Sequence, residues 1–149
     1  MSAENTEQVV VLDIKSVEKI LEIIRTKGKD SVAIICHDQP DPDCLASALA
    51  VQSIVESIGK TSTIYYGGEI PYTQNSVMMN VLNISTVKLE IDEEESIQNI
   101  KNAIVNSLIV VIDTSCCFGK ENNVSLSPFI DKNIKADIVI DHHLINPYL

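Results

Sequence analysis

The sequence predicts an α/β domain with an open, mainly parallel, Rossmann-like sheet of about five strands, helices on both faces and a helix at the N-terminus. Short, continuous apolar runs rich in β-branched residues recur along the chain, as expected for strands buried on both faces. Segments with helical periodicity alternate with these runs. The 149 residues, 45% of them hydrophobic, suit one domain with one core, so we treat residues 1–149 as a single domain.

The first elements are predicted from helical spacing and from one buried apolar run. Residues 13–26 have apolar side chains at helical spacing and are followed by Gly28, which indicates an amphipathic helix. The β-branched run 31–37 is typical of a buried strand. A second helix is predicted over 43–59, with Asp43 at the N-cap position.

The rest of the chain continues this alternation. The further predicted strands are 61–68, 86–91, 107–114 and 136–143. Helices are predicted over 73–84 and 92–106, and the second has acidic residues in its first turn, where the helix dipole favours them. Residues 127–135 are predicted to form a loop or a short helix. Such alternation implies βαβ units and therefore parallel strands.

Composition excludes several classes of protein. The formal charge is −10, the sequence pI is about 4.6 and no Lys- or Arg-rich run is present, so we expect no binding of duplex DNA by this segment. No apolar run approaches the roughly 18 residues needed to cross a bilayer. The N-terminus lacks the basic and apolar regions of a secretory signal. We therefore expect a cytoplasmic protein with no membrane partner.

The cysteines agree with a reducing compartment. Cys36, Cys44 and the pair Cys116–Cys117 lie beside apolar runs without the spacing of a disulfide framework, so we expect buried thiols. A redox or zinc site at the pair is the alternative. It would need a C-x-x-C or comparable histidine spacing, which the sequence does not have.

Polar residues follow three of the predicted strands, at the point where each strand ends. The carboxyl ends of parallel strands meet at one edge of a sheet, where open α/β sheets bind their ligands. The groups that the three strands bring to this edge are His37, Asp41, Asp43, Asp113, Asp141, His142 and His143.

Taken singly, these groups have structural explanations, since an aspartate after a strand is often an N-cap and a histidine is often only hydrogen-bonded. Together, four carboxylates without a neighbouring Lys or Arg would repel one another. Two divalent cations would relieve this repulsion and change the formal charge from −10 to −6. Mixed carboxylate and imidazole ligands suit manganese, iron or zinc better than calcium. Asp113, on a strand that could lie between the other two, has the position to bridge two metals.

Three motifs, in this order, resemble those of the DHH phosphoesterases. "HDQPDPD" (37–43) is similar to the first motif, H-x-x-P-D-x-D, "VIDTS" (111–115) to the second and "VIDHH" (139–143) to the third. The segment "YYGGEIPYTQNSVMMNVLNI" also resembles the nanoRNase-like branch. The resemblance implies a two-metal phosphohydrolase, generally manganese-dependent, that acts on phosphodiester or phosphoanhydride bonds.

The resemblance also implies a metal-binding role for five of the matching positions. His37 and Asp41 would bind the first metal, and Asp43 and His142 would bind the second. Asp113 would bridge both metals.

The remaining two positions are assigned to catalysis by the same resemblance. Asp141 would fix its neighbours, and His143 would contact the phosphate or assist the leaving group. Pro40 and Pro42 restrict the φ angles of the loop after the first predicted strand, so Asp41 and Asp43 would lose little freedom on metal binding.

Members of this family usually have a further downstream aspartate at the second metal and a separate C-terminal domain that holds the substrate. This sequence ends six residues after His143. We therefore expect the N-terminal catalytic domain only, with a weaker second metal site and with weak or no turnover by this chain alone.

The leading hypothesis is a phosphohydrolase domain for small phosphorylated substrates. These include short single-stranded oligonucleotides, linear or cyclic dinucleotides and nucleoside bisphosphates. The alternatives are a non-catalytic metal- or nucleotide-binding regulatory module, an inactive fragment of such an enzyme, and a Rossmann-like domain whose acids are only caps and solvated loops. The exact substrate, the physiological metal and the oligomeric state, including a homodimer, stay open.

Overall fold

One parallel sheet organises the part of the chain that the computed structural model describes, which is residues 14–70, 73–90, 94–114, 125, 128–130 and 135–143. Its strands are β1 (Ser31–Asp38), β2 (Thr61–Gly67), β3 (Thr86–Leu89), β4 (Leu108–Ile112) and β5 (Ile138–Ile140). The helices are α1 (Ile14–Thr26), α2 (Pro42–Ser57), α3 (Thr73–Val81) and α4 (Glu94–Asn106). The strand order is β3-β2-β1-β4-β5 and every pair is parallel, which confirms the predicted fold class.

Apolar clusters cover both faces of this sheet. On one face, Val32 and Ile34 of β1 pack with side chains of α1, α2 and α3. On the other face, Ala33 and Ile35 pack with side chains of α4 and with Phe129. Successive side chains of a strand point to opposite faces, so a strand covered on both sides must be apolar at every position. This explains the continuous apolar runs in the sequence.

Helix α2 begins one residue earlier than predicted, and its N-cap is Asp41 rather than Asp43. The backbone of Asp41 is extended, and its Oδ1 accepts a hydrogen bond from the backbone N–H of Cys44 at 3.0 Å. Pro42 takes the first helical position, where no N–H is required. Asp43 therefore lies in the exposed first turn, where a negative charge complements the helix dipole.

Several predicted elements are shorter in the structure, among them the second predicted strand-connecting helix and the last predicted strand. Helix α3 ends at Val81 because Asn83 has a φ of 51°, which ends a helix. The strand predicted over 136–143 is the three-residue β5. The pair Cys116–Cys117 and most of 127–135 lie outside the described residues. Over the described ranges, no helix has both the length and the apolar character needed to cross a membrane.

The central strands end level with one another at the carboxyl edge of the sheet. The residues that lie side by side in one row of the register are Cys36 of β1, Ile112 of β4 and Ile140 of β5. The next residues, His37, Asp113 and Asp141, therefore start from adjacent positions. Strand β1 has β2 on one side and β4 on the other, so the crevice beyond it is the topological switch point of the sheet.

Asp137 fixes the start of β5, the last strand on one side of the described sheet. Its backbone N–H donates to the carbonyl of Ile109 at 2.9 Å, and its Oδ2 accepts from the N–H of Ile109 at 3.0 Å. Its Oδ1 lies 2.9 Å from Lys27 Nζ. Burial alone would raise the pKa of Asp137, but the bonds from Ile109 and Lys27 lower it. These contacts hold β5, and with it the residues that follow the strand, in register with β4.

We predict that Asp137→Ala lowers the free energy of unfolding by about 1–3 kcal/mol at neutral pH, because the N–H of Ile109 loses its acceptor. Folding lowers the pKa of Asp137, so its contribution is complete above the unfolded value of about 3.9 and is lost as the pH falls through the folded value. Urea unfolding of both proteins at decreasing pH measures this difference.

The matched control is Asp30→Ala, which removes an exposed carboxylate and should change stability little. Equal losses in the two variants, or a difference that does not depend on acid pH, would contradict the role given to Asp137.

Candidate metal centre

A buried carboxylate lies at the centre of the candidate site. Asp113 follows β4 directly, and its side chain is about as buried as the core, with 7% of the residue exposed. Its N–H donates to the carbonyl of Ile140 at 2.7 Å. Its φ is 57°, in the left-handed region that aspartate tolerates better than most non-glycine residues. The hydrogen bond to Ile140 and the left-handed backbone of Asp113 together hold the carboxylate at the topological switch point of the sheet.

Three imidazoles surround the Asp113 carboxylate. His142 Nε2 lies 3.1 Å from Asp113 Oδ1, and His143 Nδ1 lies 3.5 Å from the same oxygen. His37 Nε2 lies 3.6 Å from Asp113 Oδ2. His37 is in β1 and the other two histidines follow β5, so side chains from the ends of three strands meet at one carboxylate. The structure therefore brings four of the seven predicted residues into direct proximity.

Hydrogen bonds orient the His37 ring. Its Nδ1 lies 2.7 Å from the carbonyl of Asp38, which only accepts, so Nδ1 holds the proton and Nε2 faces Asp113. Asp38 is held in turn, because its Oδ2 accepts from the N–H of Ser125 at 2.8 Å. A side chain at Gly67 would collide with the Asp38 carboxylate. This arrangement presents Nε2 as a metal-ligating nitrogen.

Asp141 orients His143 in a similar way. Its Oδ1 accepts from the backbone N–H of His143 at 3.1 Å and lies 2.7 Å from the ring Nδ1. The hydrogen bond to Asp141 raises the pKa of His143. Since Nδ1 is occupied by Asp141, Nε2 is the ring nitrogen that remains for a ligand.

Asp41 acts on the centre through its charge, whereas Asp43 is exposed. Burial and the negative charge of Asp41 raise the pKa of Asp113. The described residues contain two groups of potential metal ligands, and within each group the ligand atoms lie within 4.8 Å of one another. One group is His37, Cys44 and Asp113, and the other is Asp113, His142 and His143. Within the described part of the chain, neither group includes Asp41, Asp43 or Asp141.

The electrostatics of Asp113 fit a bound cation. Burial and Asp41 raise its pKa, although the imidazoles act in the opposite direction. Its Oδ1 is buried, and although His142 Nε2 lies 3.1 Å away, no described residue donates a hydrogen bond of normal geometry to it. A buried carboxylate oxygen without a donor is costly, and a divalent ion would compensate for it. Carboxylate and imidazole groups are a donor set that manganese, iron and zinc accept.

Sequence reasoning treated Cys44 as a buried thiol and gave it no part in the site. The structure confirms that Cys36 and Cys44 are buried free thiols. Hydrogen bonds with Cys36 and His37 lower the pKa of Cys44 to about 6, and the bond with Cys44 raises the pKa of His37 to about 9. The sequence feature that could have indicated a role for Cys44 in the site is its position directly after the first motif, "HDQPDPD".

Sequence reasoning also did not single out Asn75, which supports the loop before α2. Asn75 is 1% exposed, and its Nδ2 donates to the carbonyl of Pro40 at 3.2 Å. On the other side of the loop, the N–H of Gln39 donates to the carbonyl of Gly67 at 2.8 Å. The loop that presents Asp41 is therefore held from both α3 and β2. Helical periodicity gives no signal for such a buried amide.

These features define a class of protein, an α/β domain with a carboxylate–imidazole centre at the switch point of a parallel sheet. Residues 31–149 match the sequence model described as "DHH family, N-terminal domain". The chain therefore belongs to the DHH family, a superfamily of metal-dependent phosphoesterases, and represents its N-terminal domain.

The chain is also similar to the uncharacterized protein MJ1633 of Methanocaldococcus jannaschii. The two are 37% identical over 123 residues, which cover 83% of this chain and 22% of the relative. The chain thus spans about a fifth of the length of that relative. No solved structure matches the chain significantly.

We predict that Asn75→Ala lowers the free energy of unfolding by about 1–3 kcal/mol, because the buried carbonyl of Pro40 loses its donor. It should also weaken manganese binding about 10–100-fold, the usual effect of losing a group that holds a metal ligand in place. Urea unfolding and calorimetric titration measure the two effects.

Asn80→Ala is the control, since Asn80 is exposed on the same helix. If Asn75→Ala reduced stability but left manganese affinity at the level of this control, the loop would not depend on Asn75 for its metal-binding geometry.

Proposed function

We propose that this chain is the catalytic domain of a phosphohydrolase that uses two divalent metal ions, usually manganese in this family, to hydrolyse phosphodiester bonds in small substrates. The substrate class is short single-stranded oligonucleotides, linear or cyclic dinucleotides, or nucleoside bisphosphates. The observation that supports this most is the meeting of three imidazoles at the buried Asp113 carboxylate in a chain of the DHH family.

Five residues would hold the two ions. His37 and Asp41 belong to the first ion, His142 and Asp43 to the second, and Asp113 to both. The short distances from Asp113 to His37 and His142 support this arrangement. The charge of Asp41 acts on Asp113, which agrees with a shared ion. Asp43 is exposed, and its proposed role as a ligand of the second ion is based on its position in the motif "HDQPDPD".

The chemistry that such ions supply is the activation of water and the stabilisation of charge on phosphoryl oxygens. Asp113 would hold the ions, and it is buried, where electrostatic attraction is stronger than in water. Asp141 keeps Nδ1 of His143 engaged, so Nε2 is directed to other partners. From there His143 can donate a hydrogen bond to a phosphoryl oxygen or to the leaving group.

The overall charge supports a small substrate. With a formal charge of −10, the chain repels an extended phosphate backbone, and no Lys- or Arg-rich run offsets this. Divalent ions at the centre would attract phosphate only locally. A ligand with one or a few phosphates can be held there without approaching the acidic surface.

The test is an assay of the purified chain with manganese against dinucleotides and a generic aryl phosphodiester. Asp113→Asn should lower the rate by at least about a hundredfold, as does loss of one electrostatic stabiliser of a transition state. It should also abolish the rise in melting temperature that manganese produces. Asparagine is the suitable replacement because it tolerates the left-handed backbone of position 113.

Asp30→Asn removes an exposed, distant carboxylate and should leave both measurements unchanged. Activity that survives Asp113→Asn would contradict the proposed centre. Tight nucleotide binding without turnover, measured in the full-length protein, would instead favour the non-catalytic regulatory module.

A further inference from the structure

A thiol lies beside the imidazole and the carboxylate of the proposed centre. Cys44 is completely buried, and its Sγ lies within 4.8 Å of ligand atoms of both His37 and Asp113, which lie within 4.8 Å of each other. The three residues come from different parts of the fold: His37 from β1, Cys44 from α2 and Asp113 from the turn after β4. Three donors at mutual distances of this order can converge on one ion.

The position of Cys44 follows from the start of α2. Its backbone N–H donates a hydrogen bond to Oδ1 of Asp41, the N-cap residue, and this bond fixes the backbone of the first turn. Its Sγ lies 3.8 Å from the carbonyl of Ile112, the residue before Asp113. A thiol in the first turn of a helix is also near the positive end of the helix dipole, which stabilises a thiolate. The fold therefore directs the sulfur to the end of β4.

We propose that Cys44 is a further ligand of the first ion, beside His37, Asp41 and Asp113, so that this metal position contains sulfur and prefers zinc or ferrous iron to manganese. The inference rests on the metal centre of the proposed function and specifies its first ion. Thiolate is a soft ligand that selects zinc and iron, whereas manganese prefers oxygen. On binding, the thiol proton is released to solvent and one sulfur–metal bond forms, so no oxidant or reductant is required.

The test uses cobalt(II) as a spectroscopic substitute for zinc in the full chain, with a reductant that contains no thiol. The wild-type chain should show a near-ultraviolet sulfur-to-cobalt charge-transfer band, and Cys44→Ser should lack it. X-ray absorption of the zinc-loaded wild-type chain should show a sulfur neighbour at about 2.3 Å. This second measurement needs no variant and so does not depend on the folding of one.

Affinity gives a further readout that is independent of catalysis. Cys44→Ser should weaken zinc binding at least about tenfold. Loss of a group that only orients a metal ligand already weakens binding by about this factor, so loss of a ligand should weaken it at least as much. Manganese affinity should change less, so the preference for zinc over manganese should fall. Circular dichroism and thermal unfolding establish whether the variant is folded.

Two controls identify the sulfur. Cys36→Ala removes the neighbouring buried thiol and should keep the band. Because the sequence also contains Cys116 and Cys117, the double variant C116A/C117A should keep it as well.

The outcomes separate this inference from the proposed function. Cobalt that binds without a sulfur band, or a band that persists in Cys44→Ser, overturns the assignment of Cys44 and leaves the metal centre standing. Failure of the wild-type chain to bind cobalt, zinc or manganese overturns both.

Discussion

The structure depends on the charge of one carboxylate, that of Asp113, which is buried where the central strands of a parallel sheet end. An ionised group in such a place needs compensation. The described part of the protein supplies three imidazoles and no Lys or Arg contact with this carboxylate. Histidine compensates a carboxylate when it is protonated and binds a metal when it is neutral. The same arrangement therefore serves both the metal-free and the metal-bound protein.

The surrounding contacts hold the donors of this centre in place before any ion binds. Carbonyl and carboxylate groups of Asp38 and Asp141 fix the rings of His37 and His143. Asp41 caps α2 with Oδ1, so its second oxygen is not used by the cap. A cap and a metal ligand are therefore compatible in one side chain. Donors that are already ordered lose less conformational entropy on binding, which strengthens metal affinity.

The sequence was sufficient to predict the fold because the physical signal was simple. Strands β1 and β4 are covered on both faces, which requires the continuous apolar runs seen at 31–37 and 107–114. Alternation with helices then implied a parallel sheet, and parallel strands bring their carboxyl ends to one edge. That His37 and Asp113 lie side by side follows from this geometry with no knowledge of side-chain positions.

Other features of the centre could not be predicted from the chain alone. Asp41 and Asp43 flank Pro42 and both fit the composition of an N-cap, so the pattern alone led to Asp43 although Asp41 is the cap. The left-handed backbone of Asp113 depends on the hydrogen bond to β5, a tertiary contact. Asn75 acts across 35 residues of sequence on the loop before α2, and a buried amide has no periodic pattern.

The most direct measurement of the central claim is anomalous diffraction at the manganese absorption edge from crystals of the manganese-loaded chain. The account predicts two peaks about 3.5–4 Å apart, with the Asp113 carboxylate between them. If Asp113 had no anomalous peak beside it, with its oxygens bound only to neighbouring imidazoles, the three histidines would serve to neutralise a buried charge and the centre would not be a metal site.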